Sequence, residues 1–275
     1  MARSLGKLLS DRGQKVVAVA SRESSRAETA AAFIGRGAQA LTYAELSSKV
    51  ENILIAVSDD AIEQIAKILA IDLREGTVLH TSGIHGTDVL APLTEQGNSC
   101  AGLHPLQTIA TPEQGLEKLP GSTFSIAGSG RAAEWAEQII ILLEGEILRI
   151  APGQKPTYHA AAVMASNYVV SLIDAAVQVM EAAGVKPEPA RRALAPLIEA
   201  SVENALKQPE EALTGPIQRG DVQTLALHLQ GLASLPSSIE QLYRSLGMHT
   251  VQVARKQGLK SADASQVEHL LREAK

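Results

Sequence analysis

The chain opens MARSLGKLLSDRGQKVVAVASR, Met1–Arg22, and the fold turns on how this stretch is read. Leu5, Leu8 and Leu9 share one face of a helix drawn from Met1 to Arg12, and Gly13 stands where such a helix stops. A strand follows at once, Val16–Ala20. The unit is therefore helix, tight turn, buried strand.

In a dinucleotide-binding unit the helix after the glycine-rich turn carries a small residue at the third glycine position, because helix and strand pack closely there. With Ala2 in that place, Leu5, Gly6, Leu9, Gly13 and Val16 fall at the offsets of an apolar residue, a small one, a second apolar one, the turn glycine and the second strand. This alignment leaves the first strand and the two leading glycines, about 10 residues by usual strand length, outside the sequence. The expectation is that Met1 is an internal methionine of a longer unit and that the sheet lacks its middle strand.

Further along the first half, short runs rich in Val, Ile and Leu alternate with helical patterns. The runs are Asn52–Val57, Thr77–Ser82 and the weaker STFSIAG and GEILRI, and the helical segments include one with Ile62, Ile65, Ala66 and Leu69 on a single face. Such alternation predicts an α/β fold, a doubly wound, Rossmann-like parallel sheet covered on both faces. After Ala151-Pro152-Gly153 the character changes to Ala- and Leu-rich helical segments broken by Gly184, Pro187, Pro209, Gly215-Pro216 and Pro236. The expected domains are 1–152, nucleotide-binding and incomplete at its start, and 153–275, all helical.

The 275 residues suffice for two domains, and 25 basic against 30 acidic side chains give a formal charge of −5. Nothing in this balance favours nucleic acid or an anionic membrane. No apolar run reaches the ~18 residues of a membrane span. Cys100 is the only cysteine, which excludes an internal disulfide and fits a reducing, cytoplasmic setting.

Candidate site residues lie at strand ends, where doubly wound sheets bind ligands. The second strand ends Ala20-Ser21-Arg22. An arginine and a hydroxyl suit the 2′-phosphate of NADP better than the ribose diol of NAD, although Glu23 offers the latter an acceptor. Ala56, Val57, Ser58 and Asp59 end the next strand and are expected to border the cofactor, with helix capping as the plainer account of Ser58 and Asp59. HTSGIHG, His80–Gly86, contributes Ser82 to a turn by the nicotinamide; His80 and His85 lack a third ligand at metal-site spacing, so no metal is expected. His104, before Pro105, is an acid/base candidate with a structural role as the alternative. On the helix that opens the second half, His159, Val163 and Asn167 follow at four-residue steps and so share a face, with Ser166 beside it. Asp221 is expected to cap a later helix.

Taken in order, SRE, IAVSDDAI, HTSGIHG, LHPLQT, YHAAAVMASN and LTGPIQRGD resemble the Rossmann-like proteins that carry a C-terminal domain called DUF2520. These are distant relatives of pyrroline-5-carboxylate reductase and of NADP-linked F420 oxidoreductases. The resemblance implies a nucleotide-binding domain followed by a helical domain that makes a homodimer. The related β-hydroxyacid dehydrogenases and ketopantoate reductases carry a lysine four residues before an asparagine, but here Val163 precedes Asn167. That lysine does not transfer, and any proton is left to His104 or His159. The function expected is reduction of a small carbonyl or imine by NADP, with Asn167 and Ser82 orienting substrate or the nicotinamide amide. The alternative is a non-catalytic, nucleotide-sensing or scaffolding dimer.

Overall fold

The computed structural model describes residues 1–272. It divides into two compact units, one spanning Met1–Asn167 and one beginning at Tyr168.

The first unit holds seven strands among the described residues: β1 Ala18–Ala20, β2 Gln39–Leu41, β3 Asn52–Ile55, β4 Thr77–His80, β5 Ser99–Pro105, β6 Thr123–Ala127 and β7 Glu146–Arg149. They form two sheets. A parallel pair, β1 and β2, stands apart from a five-stranded sheet in the order β3-β4-β5-β6-β7. Its pairings are parallel except between β5 and β6. All four residues of β4 are buried, as expected for a strand covered on both faces. Asn98, itself buried, ties the starts of β4 and β5 to their neighbours: its Oδ1 accepts from Gly76 N–H at 2.7 Å and its Nδ2 donates to Leu73 and Leu93 carbonyls.

The opening helix runs Ala2–Asp11, and Gly13 follows at a φ of +88°, a left-handed turn that favours glycine. Leu5, Leu8 and Leu9 are buried in the main core with Phe124, Leu79 and Leu103. Between β1 and β3 the described residues form no ladder. A slot of ≈ 560 Å³ separates them instead, edged by Lys15–Ala20 on one side and Asn52–Val57 on the other, with Ala2 at its border. β1 and β3 thus belong to separate sheets, and Ala2 is exposed where tight packing against a strand was expected.

β2 was not foreseen. Its burial pattern of two exposed residues and one intermediate carries neither alternation nor an apolar run.

The second unit is helical: Asn167–Ala182 enters it, followed by Pro187–Lys207, Pro216–Arg219, Val222–Leu232, Ser237–Lys256 and Ser261–Arg272. Its core gathers Ile217, Leu225, Val251, Ala254, Ala264, Val267 and Leu271. Asp221 caps Val222–Leu232 as expected, accepting from Thr224 N–H at 3.0 Å. Tyr168, Val170, Leu172, Leu197, Val202 and Leu206 are exposed.

One expectation needs correction. The segment Lys155–Ala182, 28 residues with a window of mean hydropathy 1.6, is by length and composition apolar enough to cross a membrane. Ser166 and Asn167 interrupt its apolar residues, but the rest of the window keeps the mean high.

Candidate functional site

Two groups of side chains lie at the strand ends of the first unit. The first surrounds a cavity of ≈ 780 Å³ lined by Ser21, Arg22, Ser24, Arg26, Thr42, Val57, Ser58 and Gln64. Ser21 and Arg22 follow β1 directly, so strand geometry alone delivers them to its carboxyl end. Ser58 occupies the N-cap position of the 3-10 turn Asp59–Ala61 but makes no side-chain capping hydrogen bond. Capping therefore does not account for its hydroxyl. Ser21, Arg22, Ser24 and Ser58 are donors of the kind a ribose and a phosphate require, whereas Arg26 pairs with Glu23 at 2.9 Å, Thr42 donates to Glu45, and Glu23, Glu28 and Glu45 line the same cavity. Of the other residues expected at a cofactor, Ala2, Ala56 and Val57 line the slot between the sheets, and Val57 belongs to both spaces. Asp59 is exposed.

The second group is built on β4, β5, β6 and the helix Lys155–Ala165. His80 ends β4 and is fully buried. Its Nδ1 accepts from Ser82 N–H at 3.1 Å and its Nε2 lies 2.8 Å from the Gly86 carbonyl, which fixes the proton on Nε2. Both ring nitrogens are engaged within their own turn, which removes His80 as a metal ligand. Ser82, also buried, accepts at Oγ from Ile84 and His85 N–H at 3.2 and 3.1 Å, so its hydroxyl holds the HTSGIHG loop together. Burial, the largest effect, pushes the His80 imidazolium down to about 4.

His104 stands next to the end of β5, directly across the antiparallel ladder from Ser125 of β6. Cross-strand partners project from the same face of a sheet. Onto this pair the helix Lys155–Ala165 lays Lys155, Tyr158 and His159. His104 Nδ1 lies 2.8 Å from the Tyr158 hydroxyl, and Lys155 Nζ lies 3.3 Å from Ser125 Oγ, both members of the latter pair buried. The Lys155 ammonium also sits 5.0 Å from the Tyr158 ring centroid. His104 and His159 meet edge to face at 6.2 Å. Gly83 makes this approach possible: a Cβ there would lie 2.5 Å from His159 Nδ1 and 2.9 Å from His104 Nε2. His159 Nδ1 is buried with no hydrogen-bond partner.

Electrostatics follow from burial. Desolvation, then the Lys155 and His159 charges, push His104 down to about 4, so its ring is neutral at pH 7. Desolvation pushes Lys155 down to about 8, countered only by the distant Asp59 carboxylate. Burial raises the Tyr158 phenol, while the neighbouring Ser125 hydroxyl draws it back.

The structure thus brings His104 and His159 together, with Ser82 in the adjoining loop. Asn167 is separated from His159 and Val163 by a break. The first helix ends at Ala165, Ser166 takes φ −125° and ψ −77°, and a new helix begins at Asn167, so the expected common face does not continue to it. Ser166 Oγ donates to the Ala162 carbonyl at 2.7 Å and lies 2.9 Å from Asn167 Oδ1. Sequence reasoning missed Lys155, Tyr158 and Ser125. A lysine at a helix start reads as a solvated residue, and only the β5–β6 register shows that Ser125 faces His104.

A model described as a Rossmann-like domain matches residues 1–105, and one described as a domain of unknown function, DUF2520, matches residues 122–250. No curated protein matches. Among solved structures, a protein from Thermotoga maritima is 23% identical with a TM-score of 0.72, covering 93% of this chain and 95% of its own. An imine reductase from Pseudomonas sp. is 16% identical, TM-score 0.64, covering 92% and 93%. An imine reductase from Myxococcus stipitatus in complex with NADP+ is 16% identical, TM-score 0.58, covering 98% and 89%. At these identities the likeness establishes a shared fold. The chain thus carries a Rossmann-like domain over residues 1–105 and a DUF2520 domain over residues 122–250.

Proposed function

We propose that the chain is an NADP-dependent oxidoreductase that reduces a small carbonyl or imine. The observation that carries this reading is the cavity at the β1 and β3 ends, where Ser21, Arg22 and Ser58 converge, the last with no capping bond from its side chain. Arg22 and Ser21 would hold the 2′-phosphate and Ser58 the ribose, while the uncapped first turn of the helix Ala2–Asp11 offers backbone N–H groups to a diphosphate. Bound there, the nicotinamide supplies a hydride. The protein's own contribution is orientation and a proton, and the His104–Tyr158–Lys155 group in the same unit is the proton source. His159 shares that group; Ser82 shapes its loop, and Asn167 starts the next helix.

The exposed apolar residues Tyr168, Val170, Leu172, Leu197, Val202 and Leu206 support a homodimer through the helical unit. The single cysteine supports a cytoplasmic setting.

The deciding experiment titrates NADPH and NADH into the protein by fluorescence, then follows NADPH absorbance with a panel of ketoacids, aldehydes and cyclic imines. Preference for NADPH that falls roughly 10- to 100-fold in Arg22→Ala, the value of a charge-assisted hydrogen bond, supports the assignment. NADPH binding without consumption by any substrate identifies a nucleotide-sensing dimer instead. No binding overturns both.

A further inference from the structure

We propose that the slot between β1 and β3 binds one extended peptide strand of about five residues, and that seating this strand completes the nucleotide cavity beside it. Only the second half of the proposal rests on the reductase reading.

The backbone defines the occupant. Ladder bonds engage alternate residues of each edge strand. Gln39 N–H donates to the Val17 carbonyl at 3.0 Å on the β2 side, and Thr77 and Thr81 N–H donate to the Glu51 and Ile55 carbonyls at 2.8 and 3.0 Å on the β4 side. The residues in between, Ala18 and Ala20 in β1 and Asn52 and Leu54 in β3, therefore turn their N–H and C=O groups the other way, into the slot. Both edges run in the same direction, because Ser21 and Arg22 after one and Val57 and Ser58 after the other meet at a single cavity. Two such rows facing each other match a polypeptide in extended conformation, parallel to both, which offers donors and acceptors to either side.

The walls define its side chains. Along β3, Leu54 packs against the main core, while Ile53 and Ile55 belong to a second cluster with Ile65 and Leu69. The slot is lined by members of both, Leu9 and Ile139 from the first and Ile65 and Leu69 from the second. A strand lying level with β3 meets apolar surface with every residue, so the slot selects a continuous Val- and Ile-rich run and not an alternating one. A fatty chain would suit the walls but would leave both rows of peptide groups without partners.

Occupancy bears on the neighbouring cavity because the two spaces share a wall. Val57 lines both, and Ser21 and Arg22 leave β1 at the end where Val57 and Ser58 leave β3. β1 and β3 belong to separate sheets, so no ladder sets the distance from Arg22 to Ser58. A strand bonded to both edges sets it. Nucleotide and strand then favour each other, by the same factor in both directions.

The test uses the full chain and a synthetic peptide, Lys-Val-Ile-Val-Ile-Val-Lys, whose lysines keep it soluble. Hydrogen exchange read by 15N NMR should slow roughly 10-fold or more at Ala18, Ala20, Asn52 and Leu54 when the peptide is added. Val19 and Ile53, already laddered to β2 and β4, should change little. The same peptide with proline at its centre, which lacks a donor, should not bind. Exchange that stays fast at the four amides overturns the strand site, as does equal protection by the proline peptide or by dodecanoate. Four amides that are slow without peptide and quicken on dilution place a second copy in the slot, and overturn it as well. NADPH is then titrated with and without saturating peptide, and its Kd is expected to fall about 10-fold, with peptide affinity rising by the same factor. An unchanged Kd overturns the coupling alone. NADPH binding in neither state overturns the coupling together with the reductase reading, while the exchange measurement still decides the strand site.

Discussion

The Tyr158 hydroxyl lies 2.8 Å from His104 Nδ1, joining the first helix after β7 to the end of β5 across 54 positions of sequence. Around that contact the unit buries a lysine without a carboxylate, two histidines pushed out of the usual imidazole range, and a glycine that leaves room for two ring nitrogens. Each has a measurable consequence.

Lys155 is held as a cation only at a cost in stability. Its folded value near 8 lies below the ordinary 10.5, so between these pH values the unfolded chain binds more protons and stability rises with pH. Below about 8 the cost is present in full. Lys155→Met is therefore expected to stabilise the fold at pH 7 by about 1–3 kcal/mol, since a charge leaves an apolar site. The gain should fade as the pH approaches 10.5, as read by urea midpoints across the range.

His80 and His104 act in the opposite window. Both have folded values near 4 against an ordinary 6.5, so the unfolded chain binds more protons between these limits and stability falls as the pH drops through them. Denaturation midpoints should decline steadily from pH 6.5 toward 4. His104→Asn, which cannot titrate there, should flatten the slope; an equally steep decline would remove His104 from the account.

Gly83 has ordinary backbone geometry but no space for a side chain. Gly83→Ala would drive a methyl to within 2.5 Å of His159 Nδ1 and 2.9 Å of His104 Nε2. Overpacking of this kind costs about 1–3 kcal/mol. Histidine resonances of residues 104 and 159 should move together, and their remaining at wild-type positions would contradict the described approach.

Asn98 serves three backbone groups at once. Asn98→Ala would leave the Gly76 N–H without its acceptor and take one donor each from the Leu73 and Leu93 carbonyls, which keep donors from Arg74 and from the backbone, a loss of about 1–3 kcal/mol. Hydrogen exchange at Gly76 should accelerate before that of the β6 amides. A loss below about 1 kcal/mol would mean that water replaces the side chain.

The sequence by itself determined much of this protein. Hydrophobic periodicity placed strands at Asn52–Val57 and Thr77–Ser82, found at Asn52–Ile55 and Thr77–His80, and a helix with Ile62, Ile65 and Leu69 inward, because burial on a regular element leaves a repeat in the residues. Fixed offsets from Ala2 to Val16 placed the opening helix, its glycine turn and the strand that follows. Ser21, Arg22 and Ser58 were legible because strand ends carry their next residues to one edge. Tertiary structure alone decided the partners of His104. Ser125 meets it through an antiparallel register, Tyr158 and Lys155 through a helix that folds back on β5 and β6, and a single-residue break at Ser166 ends the face on which Asn167 was expected. Such meetings depend on packing between elements distant in sequence, and periodicity, being local, carries no trace of them.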